Sequence, residues 1–114
     1  MPLLKVQTNV NLDDNQKVDL LSACSTTVAT MLGKSEKYVM ICFEHNPDML
    51  FAGTRDATVY LELKSIGLSE NKTTEYSAAL CDVMVKHLDV KADRIYIEFN
   101  NAMRHLWGWN NATF

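Results

Sequence analysis

The chain has no excess of positive charge: 11 Lys and Arg stand against 14 Asp and Glu, a net charge of −3. A protein that grips a phosphate backbone needs basic stripes, so no nucleic-acid partner is expected. No stretch approaches the ~20 apolar residues of a membrane span. Gln7, Thr8 and Asn9 also break the opening before a signal-peptide core could form. No membrane partner is therefore expected. Cysteines number only three, Cys24, Cys42 and Cys81, and no two of them form a CxxC pair. Their apolar surroundings read as buried, reduced thiols. His45, His87 and His105 show no ligand spacing, so neither a metal nor any other cofactor is implied. Asn71-Lys-Thr and Asn111-Ala-Thr match the glycosylation sequon, but without a secretory signal they read as chance.

What remains is ordinary globular material: 114 residues, 47% apolar and 22% charged. That length supports one domain over 1–114 with a modest core that gains from further burial in an oligomer. Self-comparison reveals its plan. LGKSEKYVMICFE (32–44) aligns with LDVKADRIYIEFN (88–100), 56 residues later, and LLKVQT (3–8) falls near VYLELK (59–64) at the same offset. Each half, roughly 1–56 and 57–114, reads strand, helix, strand. The expected fold is α/β (α+β): two βαβ pseudo-repeats joined in a four-stranded sheet, with both helices on one face.

Alternation puts Val39, Ile41 and Phe43, and likewise Ile95, Ile97 and Phe99, on one face of their strands. Helical spacing over 12–32 groups Val18, Leu21, Val28 and Leu32, with Asn11 and Asp14 as an N-terminal cap and Gly33 as the stop. Over 70–88 it groups Tyr76, Leu80, Val83 and His87. The opposite sheet face would carry Met40, Cys42, Tyr60, Glu62, Tyr96 and Glu98, a mixture that suggests packing against copies of the chain. PDMLFAG (47–53) and HLWGW (105–109) are candidate short edge strands that would extend a neighbour's sheet.

Only two prolines occur, and one of them is residue 2. Proline there starts an edge strand, or it supplies chemistry. Removal of Met1 would leave a secondary amine, which no other residue can provide.

Taken together, MP (1–2), TNV (8–10), LGK (32–34), YVM (38–40), SIG (65–67), DRIYIEF (93–99) and GWNNATF (108–114) give the chain a resemblance to the macrophage migration inhibitory factor family of the tautomerase superfamily. The resemblance runs over nearly the whole sequence. It implies a homotrimer whose three sheets enclose a channel, with a pocket at each subunit boundary. It implies Pro2 as the catalytic base of a cofactor-free phenylpyruvate-type keto–enol tautomerase acting on a small aromatic keto acid. Lys34 and the backbone N–H of Ile66 would bind the substrate carboxylate. Tyr96 and Glu98 would enter the pocket from the adjacent subunit, and Tyr38, Trp107, Trp109 and Phe114 would wall it.

The chemistry suits these residue types. A terminal amine with a pKa of about 8 is mostly protonated at pH 7. An apolar pocket and a nearby Lys34 charge both disfavour the ammonium form and free the base. Plainer readings exist for each. Lys34 follows a helix end, where a solvated cation suits the dipole; Tyr96 could be a packing aromatic, and Phe114 a docked terminus. Departures from the vertebrate pattern also matter. DATV (56–59) replaces a CxxC pair, so thiol–disulfide activity has no residues to carry it. Glu98 stands where vertebrate members have Asn, and Trp107 replaces a smaller aliphatic residue. Both bear on substrate choice, and another unsaturated or halogenated acid stays open. The rival function is a cytokine-like protein that binds a cell-surface receptor. The expected location is the cytoplasm, or outside the cell by a route needing no signal peptide.

Overall fold

The computed structural model describes residues 1–114. In chain order it runs β1 (Leu3–Thr8), α1 (Asp14–Leu32), β2 (Met40–His45), β3 (Val59–Ile66), α2 (Thr73–Leu88) and β4 (Ile95–Ala102), closed by β5 (Gly108–Trp109) and β6 (Ala112–Thr113). The main sheet has the order β2-β1-β3-β4. β1 is parallel to β2 and β3 is parallel to β4, while β1 and β3 pair antiparallel at the centre. The expected four-stranded sheet with two helices on one face is therefore the observed architecture.

Period-two alternation decides which side chains meet the helices. Leu4 and Val6 of β1 and Val59, Leu61 and Leu63 of β3 are buried, and they share one core with Leu20, Cys24 and Val28 of α1 and Tyr76, Leu80 and Met84 of α2. The outer strands add Ile41, Phe43, Ile97 and Phe99 to the same side. Burying each of these large side chains is worth roughly 1.5–3 kcal/mol, and together they fix the register, because a one-residue slip would turn every strand inside out.

The repeat is real but not uniform. Gly33 and Asp89, 56 residues apart, both end their helices in the left-handed region, at φ 63° and 53°. In the strands, Val6 sits opposite Phe43 and Leu63 opposite Phe99, so the offset is 57 in the first strands and 56 in the second. An offset of 56 for β1 would have put exposed positions onto buried ones.

Other local expectations are corrected. The N-cap of α1 is Asp13, whose side chain accepts from Gln16 N at 2.8 Å while Gln16 Oε1 accepts from Asp13 N at 2.9 Å, a complete capping box. Asn11 plays no part in it. The buried face of α1 is Leu20, Cys24 and Val28, with Val18 64% exposed. Apolar residues lie around most of this helix, so several stripes fit the spacing. In α2 the buried line is Tyr76, Leu80, Met84 and Leu88, a uniform four-residue step, with Val83 and His87 at its margin. Residues 47–53 form no strand beyond a bridge between Phe51 and Thr54. Of 105–109 only Gly108–Trp109 is extended, and it pairs with Ala112–Thr113 of its own chain. Among the thiols Cys24 is buried, Cys81 half-buried and Cys42 exposed on β2.

Replacing Asp13 with Ala removes the cap and should cost about 1 kcal/mol of stability, read as a lower urea midpoint with unchanged slope. An unchanged midpoint would mean that solvent serves the first turn equally well.

Candidate active site

The N-terminus lies where three separate segments converge. Met40 N donates to Pro2 O at 3.0 Å, tying the first residues to the start of β2. Pro2 itself is fully buried. Carrying the β1–β3 register past its last pair, Leu3 with Lys64, sets Pro2 beside Ser65 and Met1 beside Ile66. Ile66 is thus close to the chain start and 7% exposed.

Around this point opens a cleft of about 390 Å³. One wall is residues 1–3, another is Lys37, Tyr38, Val39 and Met40, and the third is Trp107, Gly108, Trp109 and Phe114. The third wall is built by the β5–β6 hairpin. Its turn residues Asn110 and Asn111 have φ of 53° and 63°, the left-handed pair that a two-residue hairpin loop requires and that asparagine tolerates. The chain is thereby folded back so that Phe114 N donates to Trp107 O at 3.1 Å. Phe114 stacks on Trp109 with centroids 5.3 Å apart and planes 9° from parallel, and Tyr38 meets Trp109 edge-on at 5.4 Å. No acidic side chain lines the cleft.

The electrostatics favour a free amine. The terminal amine of the full chain belongs to Met1, and its pKa lies below the usual 8.0, first through burial, then through the charges of Lys34 and Arg104. A positive neighbour repels the proton that would make a second cation. Lys34 is exposed, and neither it nor Lys37 is in an ion pair, since the two ion pairs, Lys5 with Glu44 and Arg55 with Asp48, lie elsewhere.

Of the residues singled out from the sequence, the structure brings Pro2, Tyr38, Trp107, Trp109 and Phe114 into one cleft, with Lys34 and Ile66 beside the chain start. It does not bring Tyr96 and Glu98 there. Both are exposed on β4, the edge strand on the far side of the sheet from β2. Tyr96 packs edge-on against Phe51 at 4.8 Å. Glu98 Oε2 accepts from the Tyr60 hydroxyl at 2.6 Å, and Glu62 Oε1 lies 3.0 Å from the same oxygen. The hydrogen bond to Glu98, above all, holds the Tyr60 phenol protonated far above its usual range. Lys37 and Arg104 carried no signal in the sequence, because their part depends on how the chain folds back. Arg104 Nε donates to Phe114 O at 3.3 Å.

The family model for macrophage migration inhibitory factor (MIF) matches residues 1–114. The chain belongs to the macrophage migration inhibitory factor family. Among curated relatives, the macrophage migration inhibitory factor of Xenopus tropicalis is 33% identical over 115 residues, spanning 100% of this chain and 99% of the relative. The homologue of Trichinella spiralis is 31% identical over 100% of both chains. Among solved structures, the macrophage migration inhibitory factor homologue from Prochlorococcus marinus is 40% identical, with a TM-score of 0.91 over 98% of each chain. That from Toxoplasma gondii is 29% identical, with a TM-score of 0.92 over 98% of this chain and 99% of its own. Within this family framework the stretch Asp56–Val59 holds no thiol, and burial pushes the Cys24 thiol up to about 12, which leaves it inert at neutral pH.

Each of Lys34→Gln and Arg104→Gln removes one repelling charge, so the terminal amine should titrate at higher pH in both variants, more so for Lys34→Gln. NMR titration of the amine measures this; an unmoved midpoint in both would leave burial as the sole cause.

Proposed function

We propose that the chain is a cofactor-free keto–enol tautomerase of small aromatic 2-keto acids, working as a homotrimer through the amine of Pro2 once Met1 is removed. The observation that carries this reading is the position of Pro2, fully buried at the base of an aromatic cleft. Burial and nearby positive charge lower the pKa of the Met1 amine, and the same apolar walls and charges would favour the base form of a Pro2 amine.

In the enol-forming direction the Pro2 nitrogen takes a proton from C3 of the keto acid. The electron pair left behind makes the C2–C3 double bond while the ketone oxygen takes a proton from water, and the hydroxide so formed removes the proton from the proline ammonium. The reverse step returns the proton from the ammonium to carbon, so the base needs a pKa near the working pH. Lys34 and the backbone N–H of Ile66 hold the carboxylate, which sets C3 against the nitrogen, and such orientation supplies much of the rate. Tyr38, Trp109 and Phe114 offer ring faces to the substrate's aromatic group. Tyr96 and Glu98 of one subunit complete the cleft of its neighbour, which accounts for two exposed side chains on an edge strand. Glu98, already accepting from Tyr60, would accept a hydroxyl or amine on the substrate more readily than it would tolerate another carboxylate.

The relatives' names describe an effect on macrophage movement, not a reaction. That favours a second reading, a signalling protein that binds a cell-surface receptor and whose cleft is part of the contact surface. Catalysis requires a free Pro2 nitrogen and receptor contact does not, so the two separate cleanly.

The test is phenylpyruvate enol–keto exchange followed by absorbance, on protein shown by intact mass to begin at Pro2. Pro2→Gly should lose about 100-fold or more in kcat/KM, the scale of a positioned acid–base group. An alanine inserted before Pro2, which turns its nitrogen into an amide, should abolish the remainder. Folded protein equally inactive in all three forms would remove the tautomerase reading.

A further inference from the structure

The guanidinium of Arg94 has no carboxylate partner. It is half-buried and spends its donors on backbone carbonyls of a single loop. Nε donates to Ala57 O at 2.9 Å, one terminal nitrogen to Phe51 O at 3.1 Å, and the other to Asp56 O at 3.1 Å and Thr54 O at 3.4 Å. Its carbon also lies 5.2 Å from the centroid of the Phe51 ring, a cation–π contact. The same loop is gripped by the residue that follows β1: Asn9 Nδ2 donates to Arg55 O at 3.0 Å and Asp56 O at 3.1 Å, and Thr58 N donates to Asn9 Oδ1 at 2.9 Å. A Thr58 hydroxyl bond to Arg94 O at 2.8 Å closes the circuit.

The loop so held ends in one side chain that faces outward with purpose. Phe51 presents its ring edge-on to Tyr96, at 4.8 Å and 86°, and Tyr96 is otherwise 65% exposed. An exposed tyrosine on an edge strand ordinarily samples several rotamers. Here its ring rests against an aromatic plate whose own backbone and face are both fixed by Arg94.

We propose that Arg94 is a positioning residue: through Phe51 it sets the ring of Tyr96, and so the orientation of the surface that reads the aromatic group of a substrate in the neighbouring subunit's cleft. This rests on the reading of the site as a keto-acid tautomerase to which Tyr96 is contributed across a boundary. Lysine cannot replace Arg94, because a single ammonium cannot span four carbonyls with a planar fork.

The experiment compares deuterium exchange at C3 of phenylpyruvate and of the aliphatic 2-oxo-4-methylpentanoate, by proton NMR, in the wild type, Arg94→Lys and Phe51→Leu. Phe51→Leu keeps the clamp and removes only the ring, which guards against a variant that merely fails to fold. In both variants kcat/KM for phenylpyruvate should fall about five- to tenfold, chiefly through KM, the scale of one edge-to-face contact. The aliphatic acid should change by less than about twofold, since it has no ring for Tyr96 to read. The Tyr96 ring resonances should move in both variants. A parallel fall for the two acids, or an unchanged preference while the Tyr96 resonances move, overturns the proposal. If the wild type exchanges neither acid, the tautomerase reading is what fails. The link from Arg94 to Tyr96 is then decided by the ring resonances of Arg94→Lys: a shift upholds it and unchanged resonances overturn it.

Discussion

The antiparallel ladder between β1 and β3 is the constraint on which the rest of the structure depends. It lays the two strand–helix–strand halves side by side with opposite polarity, so the beginning of β1 meets the end of β3. That pairing sets the chain start against Ile66 and leaves β2 and β4 as the two outer strands. The cleft forms at the β2 side, and Tyr96 and Glu98 stand on β4. Pro2 precedes β1, two strand spacings from β4, about 10 Å, and the register carries Glu98 through Glu62 to Lys5 and Tyr96 through Tyr60 to Gln7, further along the strand from Pro2. A chain of this topology cannot unite both groups on its own Pro2.

The same ladder separates charge. At the end of the sheet near Pro2, burial first and then the charges of Lys34 and Arg104 lower the pKa of the terminal amine, and no carboxylate lines the cleft. In the middle of the open face, Glu62 and Glu98 surround one phenol and hold it protonated. The Tyr60 hydroxyl has a single proton to give, so it serves one carboxylate at a time. Lys5 sits across from Glu62 in the register and pairs with Glu44, so the acidic centre is only partly neutralised. An anionic ligand is accordingly drawn to the end of the sheet and not to its middle.

Most of this framework was legible in the sequence because it rests on periods. Val39, Ile41 and Phe43 alternate, Ile95, Ile97 and Phe99 alternate, and Gly33 marks a helix end. These features survive whatever else the chain does. The offset between first strands was misjudged by one residue, since Leu3 and Leu4 are both apolar and give no parity. The buried face of α1 was misassigned by a partial turn: Val18, Leu21, Val28 and Leu32 form a stripe that overlaps the line of Leu20, Cys24 and Val28, and only packing against the sheet selects the latter. Among site residues, Pro2, Trp109 and Phe114 carried motif-level signals. Lys37 and Arg104 did not, because their proximity to the amine arises from convergence of 34–40 and 104–114 on the chain start. No spacing rule encodes that.

Burial also divides the cleft into parts with different tolerance to change. Pro2 lies at its most enclosed point and is held by a backbone bond from Met40. A side chain that packs there cannot change volume without moving β1, and interiors at crystal-like density resist such movement. The aromatic wall is the opposite case. Trp109 is 49% exposed, and the hairpin that bears it pairs only with itself. Its placement depends on the Asn110–Asn111 turn, the Phe114 to Trp107 bond and the Arg104 contact, all local to the last eleven residues. Substitution among Trp107, Trp109 and Phe114 reshapes the opening and the ring faces, whereas Arg104 in the same segment also acts on the charge of the amine. The large indole of Trp107 belongs to this wall and takes no part in the β1–β2 pairing that holds Pro2. The enclosed chain start and the exposed aromatic wall are thus the rigid and the adaptable ends of one cleft.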